Sequence, residues 1–158
     1  MNRIIAALDK TSGIAKLGVQ PWSIPKDEQY FIEKTKQYGG NILVGHHTYQ
    51  LLHHPLVDRT MYVVSHRKLN DPSVITIDDV DHFLQTVHKN IWIIGGEQIY
   101  NQTLLQAEEL YLTEIDYDFL CDQFFPQYKD AFHIVEASAW QYEKDVPYRF
   151  TIWAKNHT

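Results

Sequence analysis

"IWIIGGEQIY", residues 91–100, decides how this chain is read. A continuous apolar run enters a glycine pair and passes straight into residues with helical spacing, the pattern of a strand buried on both faces of a sheet and followed at once by a helix. The same order recurs in "NILVGHHTY", residues 41–49, and "RIIAAL", residues 3–8, is a third run of the same kind. Helical spacing extends from Pro25 to about Gln37, from His46 to Leu52, from Asp78 to Val87 and from Gln98 to Ala107. "TMYVVS" and "SVITI" read as short strands, "ELYLTEID" as a long one, and "HIVEASAWQYE" with "YRFTIWAK" as an antiparallel pair. The expected fold is therefore α/β, a single domain. Its mostly parallel twisted sheet has about eight strands and an antiparallel C-terminal edge, with about four flanking helices. The longest stretch without clear periodicity, Asp9 to Gln20, has the character of a lid.

Each strand–glycine–helix junction leaves unpaired backbone N–H groups and the positive end of a helix facing one crevice, and either can hold an anion. Taken singly, such a glycine serves as readily for a tight turn. Two of them match a diphosphate, which needs neighbouring anion sites, so a dinucleotide is the ligand that accounts for both. The spacing G-x-G-x-x-G with an acid further on is absent. After "YVVS" come His66, Arg67 and Lys68, a cationic cluster suited to an adenosine 2′-phosphate, with a solvated loop as the plainer alternative.

Across the 158 residues, 44% are hydrophobic, 22% charged and 13% aromatic, which favours a packed globular chain over disorder. A net charge of −6 with no long Lys/Arg run argues against nucleic acid. The one cysteine, Cys121, permits no internal disulfide, and the opening residues are too short an apolar run for a signal peptide or membrane span. The expected compartment is the cytoplasm and the expected state a monomer. Nine histidines, including His53 and His54, show no spacing of a closed metal site, so no metal is expected.

"QPWSIPKDEQYF", residues 20–31, delivers two adjacent acids, Asp27 and Glu28, to a helix start. Both complement the helix dipole there. At 100° per residue the inward face is set by Ile24, Phe31, Thr35 and Tyr38, and the two acids lie about 50° to either side of its centre. Periodicity leaves them tied. A carboxyl sharing a pocket with Trp22, Phe31 and Ile5 would have its pKa raised by desolvation, against the helix dipole, and so suit proton donation near neutrality.

Taken together, "IIAAL", "PWSIPKD" with Phe31 four positions on, "GHHTY", "PLVDR", "IIGGEQIY" and "LYLTEID" resemble dihydrofolate reductase, in that family's order and spacing. The resemblance runs from Arg3 to Pro126 and more loosely beyond. It implies NADPH-dependent reduction of 7,8-dihydrofolate to tetrahydrofolate for one-carbon metabolism, with hydride to pterin C6 and a proton to N5, and it implies binding of antifolate inhibitors. It selects Asp27 as the active-site carboxylate, Thr113 as the hydroxyl bonded to it and Trp22 as the holder of a nearby water. Ile5, Ala6, Ala7, Ile94 and Tyr100 would line the pterin and nicotinamide pocket. Phe31 and Leu56 would flank the aminobenzoyl ring with Glu28 beside it, and Arg59 would pair with the glutamate α-carboxylate. For the cofactor it implies Gly45, His46, His47 and Thr48 on one side and Gly95, Gly96, Glu97, Gln98 and Ile99 on the other. Ser65, His66 and Arg67 would meet the 2′-phosphate. Ile14 and Gln20 of the lid would approach the nicotinamide, with Asp122 as the lid's partner.

Four residues depart from the family pattern. Gln20 stands where methionine or leucine is usual, Ala15 where the lid often has glycine, His46 in place of arginine, and Glu28 where an apolar residue is common. Gln20 is expected either to disturb lid closure or to point to water. Ala15 is expected to stiffen the lid unless its φ is negative. His46 is expected to make cofactor binding weaken as pH rises past neutrality. Two other readings are a reductase of the same superfamily acting on a pyrimidine, and a non-catalytic nucleotide-binding protein with the same fold.

Overall fold

The structure is a computed structural model and describes residues 1–52 and 56–157. Its strands are β1 (Asn2–Leu8), β2 (Gly13–Ala15), β3 (Asn41–Gly45), β4 (Thr60–Val64), β5 (Val74–Ile77), β6 (Ile91–Ile93), β7 (Glu109–Ile115), β8 (Gln123–Phe124), β9 (Phe132–Ala137), β10 (Gln141–Glu143) and β11 (Val146–Lys155). The helices are α1 (Pro25–Thr35), α2 (His46–Gln50), α3 (Val80–Thr86) and α4 (Glu97–Thr103).

Nine strands form one sheet in the order β10-β11-β7-β1-β6-β3-β4-β5, with β9 also paired to β11. From β7 to β5 every pairing is parallel, and the β11 pairings are antiparallel. The strand count exceeds the expected eight because "HIVEASAWQYE" divides into β9 and β10, both of which pair with β11. His53 and His54 lie outside the described residues.

The apolar runs become interior strands because each supplies both faces of the sheet. In β1, Ile4 and Leu8 enter the core on one face while Ile5 enters the core on the other. Leu43 and Ile93 follow Ile4, whereas Ile42, Val44, Trp92 and Tyr111 follow Ile5. The first face is covered by α3 through Val80 and Leu84 and by α4 through Ile99 and Tyr100. On the second face lie Tyr30 and Phe31 of α1 and Tyr49 of α2. Ile4, Ile42, Leu43, Trp92, Ile93, Leu110 and Leu112 have no exposed surface. Burial of one such side chain stabilises the fold by about 1.5–3 kcal/mol before entropy is counted.

The stretch from Asp9 to Gln20 contains more order than its sequence shows. β2 pairs antiparallel with β8, and Asp9 anchors the turn leading into β2. The Asp9 carboxylate accepts from Thr11 N–H at 2.9 Å, Thr11 Oγ1 at 2.9 Å, Gly13 N–H at 2.8 Å and Phe119 N–H at 3.0 Å. Burial alone would raise its pKa, but these hydrogen bonds prevail and lower it. At the far end Leu17 N–H points to both oxygens of Asp122, and Asp122 N–H donates to the Ala15 carbonyl at 3.0 Å. A Cβ on Gly13 would stand 2.4 Å from Cβ and 2.7 Å from Sγ of Cys121, so this buried position has no room for a side chain.

Candidate active site

The carboxyl ends of β1, β3 and β6 open on one edge of the sheet, with α1 above one face and α4 above the other. Thr113 pairs with Ala7 across β1–β7 and, by strand alternation, shares the face of Tyr111 and Ile115. That is the face carrying α1. Pro25 opens α1, Ile24 before it is buried, and Phe31 and Thr35 continue the inward stripe. Asp27, in the first turn, is thereby brought to Thr113.

Thr113 Oγ1 lies 2.6 Å from Asp27 Oδ1, a hydrogen-bond length for a hydroxyl donating to a carboxylate. Burial pushes the Asp27 carboxyl up to about 6, the Thr113 bond opposes that rise, and the charge of Glu28 adds to it. Glu28 itself is exposed. Trp22 packs its ring on Phe119 at 5.3 Å between centroids, and its buried Nε1 has no hydrogen-bond partner among the described residues. A buried indole N–H normally finds a polar partner.

Ile5, Ile94, Phe31 and Leu56 gather in one apolar cluster beside this acid. Ala7 is buried with Ile24 and Trp22, and Ala6 packs toward the opposite face. The Tyr100 hydroxyl donates to the Ile5 carbonyl at 2.8 Å, which ties α4 to β1; full burial raises the pKa of that phenol. Arg59 is half-buried against the C-terminal turn of α1. Its Nε donates to Thr35 Oγ1 at 2.9 Å, Nη1 to the Val57 carbonyl at 2.8 Å and Nη2 to the Ile32 carbonyl at 2.6 Å. Burial lowers its pKa while Asp58 opposes, without threatening its charge. Among the described residues, one N–H on each terminal nitrogen remains for an outside acceptor.

The two glycine junctions are neighbours. Gly45 N–H donates to the Gly95 carbonyl at 2.8 Å. A Cβ on Gly45 would meet Ile99 Cγ1 at 3.0 Å, and one on Gly96 would meet Thr48 Oγ1 at 2.9 Å. Glycine is needed here so that the starts of α2 and α4 can approach one another. The first residues of both helices, His46, His47, Thr48, Glu97 and Gln98, therefore share one crevice, with Ile99 buried beneath. The carboxylate of Glu97 turns away to accept Phe124 N–H at 2.5 Å. Side by side, the junctions present the donor set that a diphosphate requires, so the residues fit a dinucleotide.

Beyond α2, Ser65 Oγ donates to the Arg67 carbonyl at 2.8 Å, holding a tight turn that exposes His66, Arg67 and Lys68. This turn forms part of a cleft of about 840 Å³ along β5. Over the crevice, Ile14 and Ala15 are buried and Gln20 is exposed, so the amide stays in water. Ala15 is not among the residues with positive φ and sits in β2 without strain. Sequence patterning missed the bond from Phe119 N–H to Asp9, the Glu97–Phe124 bond and a bond from the Tyr49 hydroxyl to Asp71, because these partners are distant in the chain; the local turn in which Asp9 accepts from Thr11 and Gly13 was missed as well.

The chain matches the dihydrofolate reductase family over residues 1–155. The dihydrofolate reductase of Buchnera aphidicola subsp. Schizaphis graminum is 34% identical, over 81% of this chain and 80% of its own length. That of Haemophilus influenzae is 32% identical over 78% of each, and that of Heliothis virescens 29% identical over 98% of this chain and 97% of its own. With this match, the chain is an oxidoreductase. The chain belongs to the dihydrofolate reductase family. No helix among the described residues is long and apolar enough to cross a membrane.

Proposed function

We propose that this chain reduces 7,8-dihydrofolate to 5,6,7,8-tetrahydrofolate with NADPH, and that Asp27 holds the pterin and governs the proton reaching N5. The observation that carries this reading is the Asp27–Thr113 pair, a carboxyl raised to about 6 beside the apolar cluster of Ile5, Phe31, Leu56 and Ile94. When bound, NADPH supplies the hydride for pterin C6. Asp27 orients the pterin, with Thr113 fixing one of its oxygens, and Trp22 Nε1 holds a water on the proton route. Ile5, Ala6, Ala7, Ile94 and Tyr100 exclude solvent from the reacting atoms. Phe31 and Leu56 grip the aminobenzoyl ring, and the two remaining N–H groups of Arg59 receive the glutamate α-carboxylate. Antifolates that mimic the pterin occupy the same wall.

For the cofactor, Gly45, His46, His47 and Thr48 with Gly95, Gly96, Glu97, Gln98 and Ile99 form the pyrophosphate crevice, chiefly through backbone N–H groups. Ser65, His66 and Arg67 receive the 2′-phosphate. Ile14 and the backbone near Gln20 cover the nicotinamide side, with Asp122 holding the lid. We read the chain as one monomeric cytoplasmic domain, for which sizing in solution should return the mass of a single chain.

The test is direct. NADPH absorbance is followed with dihydrofolate as substrate, and dihydrofolate-dependent loss is expected; a rate no higher than without dihydrofolate would reject the reading.

A further inference from the structure

The cleft of about 840 Å³ beside β5 mixes signs of charge: His66, Arg67 and Lys68 line it together with the acids Asp71 and Asp78, of which Asp71 lies on the same loop as the cations. A carboxylate so placed has two effects on a phosphate in the cleft. It repels the phosphate directly, and it competes for the same cations. Asp71, however, pairs with none of them. Oδ2 accepts from the Tyr49 hydroxyl, while Oδ1 accepts from Ser73 N–H at 2.9 Å and Ser73 Oγ at 2.5 Å. Both oxygens are thus taken by neutral donors. The ion pairs among the described residues are Arg3–Glu109 and Arg149–Glu114, which leaves Arg67 and Lys68 without acidic partners.

Tyr49 reaches this position from α2, the helix that begins at the Gly45 junction, with its ring packed in the apolar cluster under α1 and α2. The hydroxyl therefore spans from the crevice helix to the cation-bearing loop. We infer that Tyr49 is a specificity-determining positioning residue: by binding Asp71 it keeps that carboxylate off Arg67 and Lys68 and so sustains the preference for a 2′-phosphorylated over an unphosphorylated adenosine ribose. This rests on reading the cleft as the 2′-phosphate end of the cofactor site.

The experiment measures equilibrium binding of NADPH and NADH, each by quenching of protein fluorescence, to the unsubstituted chain, Tyr49→Phe, Asp71→Asn and the double variant. The ratio of the two affinities on one variant cancels any general disturbance of the fold. Tyr49→Phe releases Oδ2 to pair with Arg67 or Lys68, withdrawing one cation from the phosphate, and should lower the NADPH-to-NADH affinity ratio by about fivefold, the effect of one unit-charge pair near 4 Å in water. Asp71→Asn and the double variant should keep the ratio at or above that of the unsubstituted chain. An unchanged ratio in Tyr49→Phe would overturn the inference, and so would an equal fall in Asp71→Asn, which marks a mechanical tether instead of a masked charge. If the unsubstituted chain binds NADH as tightly as NADPH, the reading of the cleft itself fails, and the inference with it.

Discussion

Thr113 Oγ1 on β7 stands 2.6 Å from Asp27 Oδ1 on α1, so the sheet holds the acid from beneath while the helix presents it from above. Glu28, one residue further, is exposed and has no such contact among the described residues. Asp27→Asn should therefore lower the rate at neutral pH by about 10²–10⁴-fold and regain part of it in acid, where substrate is protonated from solution. Glu28→Gln should retain most of the rate. Pre-steady-state rates across pH check both, and the opposite pattern would reassign the acid.

The same carboxyl makes stability depend on pH. Its pKa is raised from 3.8 to about 6 on folding, so the folded chain binds more protons than the unfolded one between those values. Stability falls as pH rises through that window and stays lower above it. Asp27→Asn should stabilise the chain at neutral pH by on the order of 2 kcal/mol, with the gain vanishing in acid below the unfolded value. Urea unfolding of both chains at several pH values measures it.

Thr113→Val keeps the shape of the side chain and removes its hydroxyl. Since that hydrogen bond lowers the Asp27 pKa, its loss should move the carboxyl titration, and the pH–rate profile with it, to higher pH. A carbon-detected titration of the Asp27 carboxyl gives the direction without reference to turnover.

Arg59 anchors itself with Nε and one N–H from each terminal nitrogen, leaving a fork that a single ammonium cannot reproduce. Arg59→Lys should raise KM for dihydrofolate by about tenfold or more while kcat changes far less. A substrate lacking the glutamate should show little difference between the two enzymes.

Gly13→Ala forces a methyl group onto Cys121 and should cost about 1–3 kcal/mol of stability. In a Cys121→Gly background, where the opposing Cβ is gone, the cost should shrink. Thermal unfolding of the four chains as a double-mutant cycle reports the coupling.

Much of this fold is legible in sequence because β1, β3, β6 and β7 carry their own apolar signal and the two glycine junctions mark where helices begin. The three residues of β2 carry none; they become a strand only through β8, a pairing that spans more than a hundred residues. Asp27 and Glu28 are tied by helical angle, and what separates them is Thr113, which reaches the same face by strand alternation. The glycines were legible as sites of close approach, but Gly45 and Gly96 also have protein neighbours in Ile99 and Thr48, which no local pattern announces. Tyr49 and Asp71 belong to different elements, and nothing in their separation suggests a bond.

The position of β1 in the sheet also fixes an order of events. β1 ends at Leu8, yet its two neighbours begin only at Ile91 and Glu109, while β3, β4 and β5 pair among themselves far earlier in the chain. A nascent chain that has not yet delivered Ile91 has β3–β5 able to assemble and β1 bare along both edges. An apolar strand in that condition is a template for another chain, so folding on the ribosome has its most exposed interval before β6 emerges. The strands that complete the sheet edge at the candidate site are thus also those that end the aggregation hazard.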